Sequence, residues 1–224
     1  MNERTDIGQL TCRLLADGYR LMKEDIGADA HLEKDGFAYD LECYTAEGFG
    51  HLCVMRMDAM GGLMKMETAV LACTSRDVPL FNLDWVGAMG KETQMAELYD
   101  VQLSPYPEEK LAAFAAIKAG SADLPDRETA PHWYDGILYP CSYDKTGEGY
   151  TARFSADAKR YLEEFLRQVK AAPDADTEAR KAKIREFAET LFAQGGPAVD
   201  QVTRLFGEET ARRIIVGHMY GAGQ

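Results

Sequence analysis

Between Phe37 and Leu103 the chain reads as five strand-length segments joined by links too short to hold a helix. They are FAYDLECY from Phe37, GHLCVMRM from Gly50, MKMETAVLAC from Met64, PLFNLDWV from Pro79 and TQMAELYDVQL from Thr93. Much of each alternates apolar and polar residues, the period of a pleated strand with one side buried. The links AEGFG, DAMGG and GAMGK carry glycine, which readily takes the positive φ of a hairpin turn. Parallel strands need a crossover of about a dozen residues or more, and these links leave no room for one. The stretch therefore predicts an antiparallel meander.

Helical patterns flank it. From Thr5 to Glu24 the apolar residues Ile7, Leu10, Leu14, Leu15, Leu21 and Met22 fall roughly on one stripe. A helix is expected from Glu108 to Ala119, after SPYP, and SADLPDRETAPHWYDG reads as a loop. YTARF reads as a short strand, followed from Ser155 by the helix SADAKRYLEEFLRQVKA. Asp174 to Ala193 gives another helix, broken by GGP, and AVDQVTRLF and EETARRIIVGHMY close the chain as two short ones. Helix, strands, then helices is an α+β order with helices on both faces of one sheet. The expected architecture is a three-layer α/β/α sandwich with a central, mainly antiparallel sheet, in a single domain over residues 1–224.

One residue breaks the apolar pattern where it matters. Asp84 is the only carboxylate in PLFNLDWV, and the next strand, MAELYDV, carries Glu97 and Asp100. A lone ionised carboxylate is costly to bury, so such a group is paired, neutralised or used. On the sheet side of an apolar pocket it would be a neutral acid and a proton donor; on the other side it faces solvent or caps a neighbouring backbone.

Composition narrows the partners. A formal net charge of -12 lacks the basic footprint that nucleic acid or an anionic membrane surface requires. Bases are nevertheless dense from Lys159 to Arg213. They suit either solvated helix faces or a local face for an anionic ligand or acidic partner. Five cysteines at irregular spacing, with no C-x-x-C, point to thiols in a reducing compartment and to no metal site. The N-terminal MNERTDIGQL has no apolar core and no apolar run reaches membrane-spanning length, so a cytoplasmic protein is expected. Met55, Met57, Met60, Met64 and Met66 read as core filling. There is no G-x-G-x-x-G, Walker, G-x-S-x-G or H-E-x-x-H pattern.

PLFNLDW, the following DVQLSP, PHWYDGILYP, YTARFSADAKRYLEEFLRQV and GGPAVDQVTRLFGEETARRIIVGHMY occur in an order that resembles the ferredoxin-dependent bilin reductases. The likeness is strongest to the phycocyanobilin:ferredoxin oxidoreductase type, with red chlorophyll catabolite reductase as a related branch. It implies a pocket between the sheet and the C-terminal helices. It also implies reduction of an open-chain, biliverdin-like tetrapyrrole by single-electron and proton transfers. Electrons would come from a ferredoxin or flavodoxin, with no bound cofactor or metal. By position, Asp84 matches the family's central aspartate, and Glu67 stands near its histidine. The family's strand glutamate falls near Cys53, where His51, two residues away on the same strand face, could substitute. Arg153 in YTARF matches an arginine that grips a propionate. The family's Asp-Lys pair is replaced by Gly196 and Pro197. The resemblance thus implies Asp84, Glu67 and His51 as catalytic residues and Arg153 as a substrate-binding one. The alternative is a non-catalytic tetrapyrrole-binding or carrier protein on the same fold.

Overall fold

The structure, a computed structural model, describes residues 4–223; the first three residues of the charged N-terminal stretch, and residue 224, lie outside them. The five expected strands form the middle of an antiparallel sheet: β3 (Phe37–Glu47), β4 (Gly50–Ala59), β5 (Met64–Cys73), β6 (Leu80–Ala88) and β7 (Lys91–Tyr99). Three short strands extend it: β1 (Arg20–Lys23), β2 (His31–Lys34) and β8 (Tyr143–Gly147). The order is β1-β3-β4-β5-β6-β7-β8, with β2 on the same edge of β3 as β1, nearer its start. Every pairing is antiparallel.

Register is set by the hairpins. Between β6 and β7 the two-residue turn Met89-Gly90 has φ of 50° and 86°, both in the left-handed region that such turns demand. It places Asp84 opposite Met95, and Asn82 opposite Glu97. On the other side Asp84 faces Thr68 of β5.

Alternation then divides each strand between two environments. From β6, Phe81, Leu83 and Trp85 join a core formed with α1 (Ile7–Ala16), α2 (Glu108–Ala119) and α3 (Thr151–Ala171). On the opposite face, Leu80 of β6 joins Met55, Met57 and Val70 under α4 (Thr177–Gln194), α5 (Pro197–Phe206) and α6 (Glu208–Arg212). The chain continues from α6 as a π-helical stretch, Arg213–Met219, over the same face. Pro197 opens α5, where a missing N–H leaves no intrahelical bond unmade. The three-layer expectation holds.

Two local expectations do not. The first helix stops at Ala16, and Asp17 and Gly18 turn the chain into β1. YTARF is not a strand: from Thr151 it is the first turn of α3. Phe154 belongs to one stripe with Ala158, Tyr161, Leu162, Phe165, Leu166 and Val169, and burying that stripe requires a helix from its beginning.

Candidate functional site

A cavity of about 270 Å³ lies between the second sheet face and the helices that cover it. Its walls are mostly apolar, and four of the five clustered methionines (Met55, Met57, Met64, Met66) line it, Met55 and Met57 while also filling the core of this face. Met60 lies outside, on an exposed turn. Methionine suits such a wall, because its flexible, polarisable thioether adapts to irregular apolar surfaces. Ile215 and Met219 of the π-helical stretch, and Tyr220 after it, close one side. Gly196 and Pro197, at the start of α5, line the cavity as well.

The floor is polar. Thr68, Asn82, Asp84 and Glu97 all project from this face of β5, β6 and β7. The Thr68 hydroxyl donates to Asp84 Oδ1 at 2.5 Å, and the Tyr99 hydroxyl donates to Glu97 Oε2 at 2.7 Å. Asn82 Nδ2 donates to the Tyr220 hydroxyl at 3.1 Å. At the edge Arg127 makes a bidentate pair with Asp144, Nε at 2.8 Å from Oδ1 and Nη2 at 2.8 Å from Oδ2. That carboxylate engages the guanidinium, leaving the two floor acids with hydroxyl partners only.

Burial sets their protonation. It pushes Asp84 up to about 6, although the Thr68 hydrogen bond and the Arg127 charge pull the other way. Burial pushes Glu97 up to about 8, with the negative charge of Asp84 as the next contribution. Two like charges this close resist simultaneous ionisation. The cavity therefore offers two carboxyls that hold their protons to higher pH than ordinary carboxylates do, Glu97 more firmly than Asp84, to whatever apolar molecule fills it.

Of the four expected site residues, only Asp84 is in this cavity. Glu67 is Thr68's neighbour on the strand and so points to the other face. There it accepts from Arg4 Nη1 at 2.6 Å and from the Ile7 backbone N–H at 2.9 Å, with Arg56 Nε 3.5 Å away. It fastens the start of α1 to the sheet. His51 shares the cavity's face but sits four residues along β4 from Met55, roughly 13 Å at strand rise. Its Nε2 donates to the His218 carbonyl at 2.7 Å. Burial lowers its proton affinity, but Cys43, Glu24 and that carbonyl outweigh it and bring the imidazole to about 9. Arg153 lies on α3, across the sheet from the cavity, and forks onto Asp123 at 2.6 and 2.9 Å. The structure thus sets Glu67 and Arg153 on the opposite side of the sheet from Asp84, and His51 outside the residues that line its cavity.

A second cavity of about 370 Å³, lined by His51, Lys181 and Arg185, opens at the far end of the same face. It is the larger, but it holds no neutral buried acid, and the Asp84 cavity better fits an apolar pocket with a few convergent polar groups. Among the described residues, no group of three or more His, Cys, Asp or Glu is placed to hold a metal ion, and no helix is long and apolar enough to cross a membrane.

No family profile matches the chain, and no curated protein matches it in sequence. Its fold is that of a solved structure, tomato phytochromobilin synthase in complex with biliverdin. The two superpose with a TM-score of 0.74 over 97% of this chain and 83% of the other, at 12% sequence identity.

Proposed function

We propose that this chain is a reductase of the ferredoxin-dependent bilin reductase type, acting on an open-chain tetrapyrrole such as biliverdin. The observation that carries the reading is the floor of the cavity: Asp84, its proton affinity raised by burial, under an apolar, methionine-lined space between the sheet and the C-terminal helices. It stands in a fold shared with a protein crystallised with biliverdin. A conjugated tetrapyrrole accepts one electron and becomes a radical anion, whose basicity rises sharply. Asp84 then supplies the proton, and the apolar walls keep water from competing. Electrons come from an external one-electron donor of the ferredoxin or flavodoxin class. Arg127 replaces Arg153 as the base able to meet a propionate, by exchanging its Asp144 partner for the ligand's carboxylate.

Anaerobic incubation with biliverdin, a ferredoxin and its reductant tests this. The biliverdin absorption band should give way to those of reduced products. An unchanged spectrum over many reducing equivalents contradicts it. One observation favours a second reading, the non-catalytic carrier: among the described residues no histidine lines the cavity. That reading predicts stoichiometric biliverdin binding with a red-shifted spectrum and no reduction.

A further inference from the structure

Reducing one double bond takes two electrons and two protons, and Asp84 carries one proton. Resting on the reading above, we infer that Glu97 is the second proton donor: Asp84 protonates the ligand after the first electron, and Glu97 protonates it after the second. The two carboxyls are diagonal neighbours on adjacent strands and line the same cavity floor. Cβ atoms so placed are roughly 7 Å apart, within reach of successive positions on one extended conjugated ligand.

The hydrogen bonds assign the protons to particular atoms. A neutral carboxyl accepts at its carbonyl oxygen and donates from its hydroxyl. Thr68 donates to Asp84 Oδ1, so the acid proton belongs on Oδ2; Tyr99 donates to Glu97 Oε2, so it belongs on Oε1. Among the described residues neither Oδ2 nor Oε1 has a hydrogen-bond partner. The charged and titratable groups around Glu97 are Asp84 of β6, Tyr99 of its own strand, Asp144 of β8, Arg127 and Tyr134 of the loop before β8, and Tyr220. Arg127 is the only cation of the set, and Asp144 holds it. Glu97 is therefore the tighter of the two acids and keeps its proton until the doubly reduced, more basic ligand is formed.

The balance is complete. The first electron gives the radical anion, Asp84 gives a proton and leaves a neutral radical, the second electron gives an anion, and Glu97 protonates the remaining carbon. Both carboxylates are then reprotonated from solvent, and the one-electron donor has been oxidised twice.

Glu97→Gln keeps size and the Tyr99 contact while removing the acid. With biliverdin and two reducing equivalents supplied anaerobically, its radical should form and decay at the wild-type rate in electron paramagnetic resonance. An EPR-silent, singly protonated species should then accumulate, its decay slowed by roughly 10²–10⁴. Turnover within twofold of wild type overturns the proposal, as does a stall at the radical. A ligand-free measurement stands beside it: infrared difference spectra should show a protonated carboxyl near neutral pH that is lost in Glu97→Gln and titrates at lower pH in Asp84→Asn. Its absence from the wild type overturns the proposal whatever the substrate. If biliverdin is not reduced by the wild type, the donor role falls with the reductase reading; an infrared band that persists assigns that failure to the substrate and not to the acid pair.

Discussion

Glu67 and Asp84 are both carboxylates on the central strands, one residue out of register with each other, and they face opposite sides of the sheet. Glu67 is met by Arg4, by Arg56 and by a helix-terminal N–H, and its face is closely packed. Phe81 and Phe165 stack there with centroids 4.7 Å apart, and the buried Asp157 accepts from Ser121 and Tyr143. Asp84 is met by one hydroxyl and opens onto a cavity. Burial alone does not single out a carboxylate; burial without a paired cation, beside unfilled space, is what makes Asp84 a candidate for chemistry. Both faces of the sheet carry a hydrophobic core, but the second also leaves an unfilled space beside its acids.

The largest expected effect separates the two sides by activity. Asp84→Asn should bind biliverdin and accept one electron, then stall as a long-lived radical, with turnover lower by about 10²–10⁴. Turnover within twofold would return Asp84 to a structural role. On the packed face, Phe165→Ala should cost about 3–5 kcal/mol, read as a lower urea midpoint with unchanged slope. Met66→Ala, which borders space already empty, should cost about 1 kcal/mol. Equal losses would mean the two faces are packed alike.

Glu67→Gln sharpens the contrast between the carboxylates. It leaves two guanidinium groups short of a partner and should cost about 1–3 kcal/mol of stability, with bilin reduction unchanged. Reduced turnover at full stability would instead make Glu67 a proton donor. A smaller effect concerns pH. Asp84 and Glu97 have folded-state affinities raised above the ordinary carboxylate range, so between about pH 4 and 8 the folded state holds more protons than the unfolded one. Their contribution should therefore fall as pH rises through that window. The double variant Asp84→Asn, Glu97→Gln should match wild type near pH 4 and exceed it increasingly toward pH 8, by urea denaturation. A difference that is constant with pH contradicts neutral buried acids.

How far these faces could be read in advance depended on segment length. The five long strands announced themselves because glycine links and alternation coincide over eight residues or more. RLMK, HLEK and YDKTG are four or five residues long and largely polar, so no period emerges from them. YTARF alternates within five residues, yet over a longer window Phe154 falls on the helical stripe of α3, and the longer pattern buries more. Asp84 was legible as a lone acid in an apolar run. Glu97 was legible too: counting outward from the Met89-Gly90 turn puts it across from Asn82, on Asp84's face. The same parity sets Glu67 apart, since Met64, Met66 and Thr68 share the cavity face and residue 67 cannot. Arg127, Tyr134 and Tyr220 come from a loop and the chain's end, where no period says which way a side chain points.

The most direct measurement is a crystal structure after biliverdin is added. The account places the tetrapyrrole between β5–β7 and the helices α4 and α5, with a pyrrole nitrogen or lactam oxygen at hydrogen-bonding distance, about 2.7–3.2 Å, from Asp84. Biliverdin bound instead beside His51 and Lys181 at the far end of the face, or an Asp84 cavity that stays empty at saturating ligand, would contradict it.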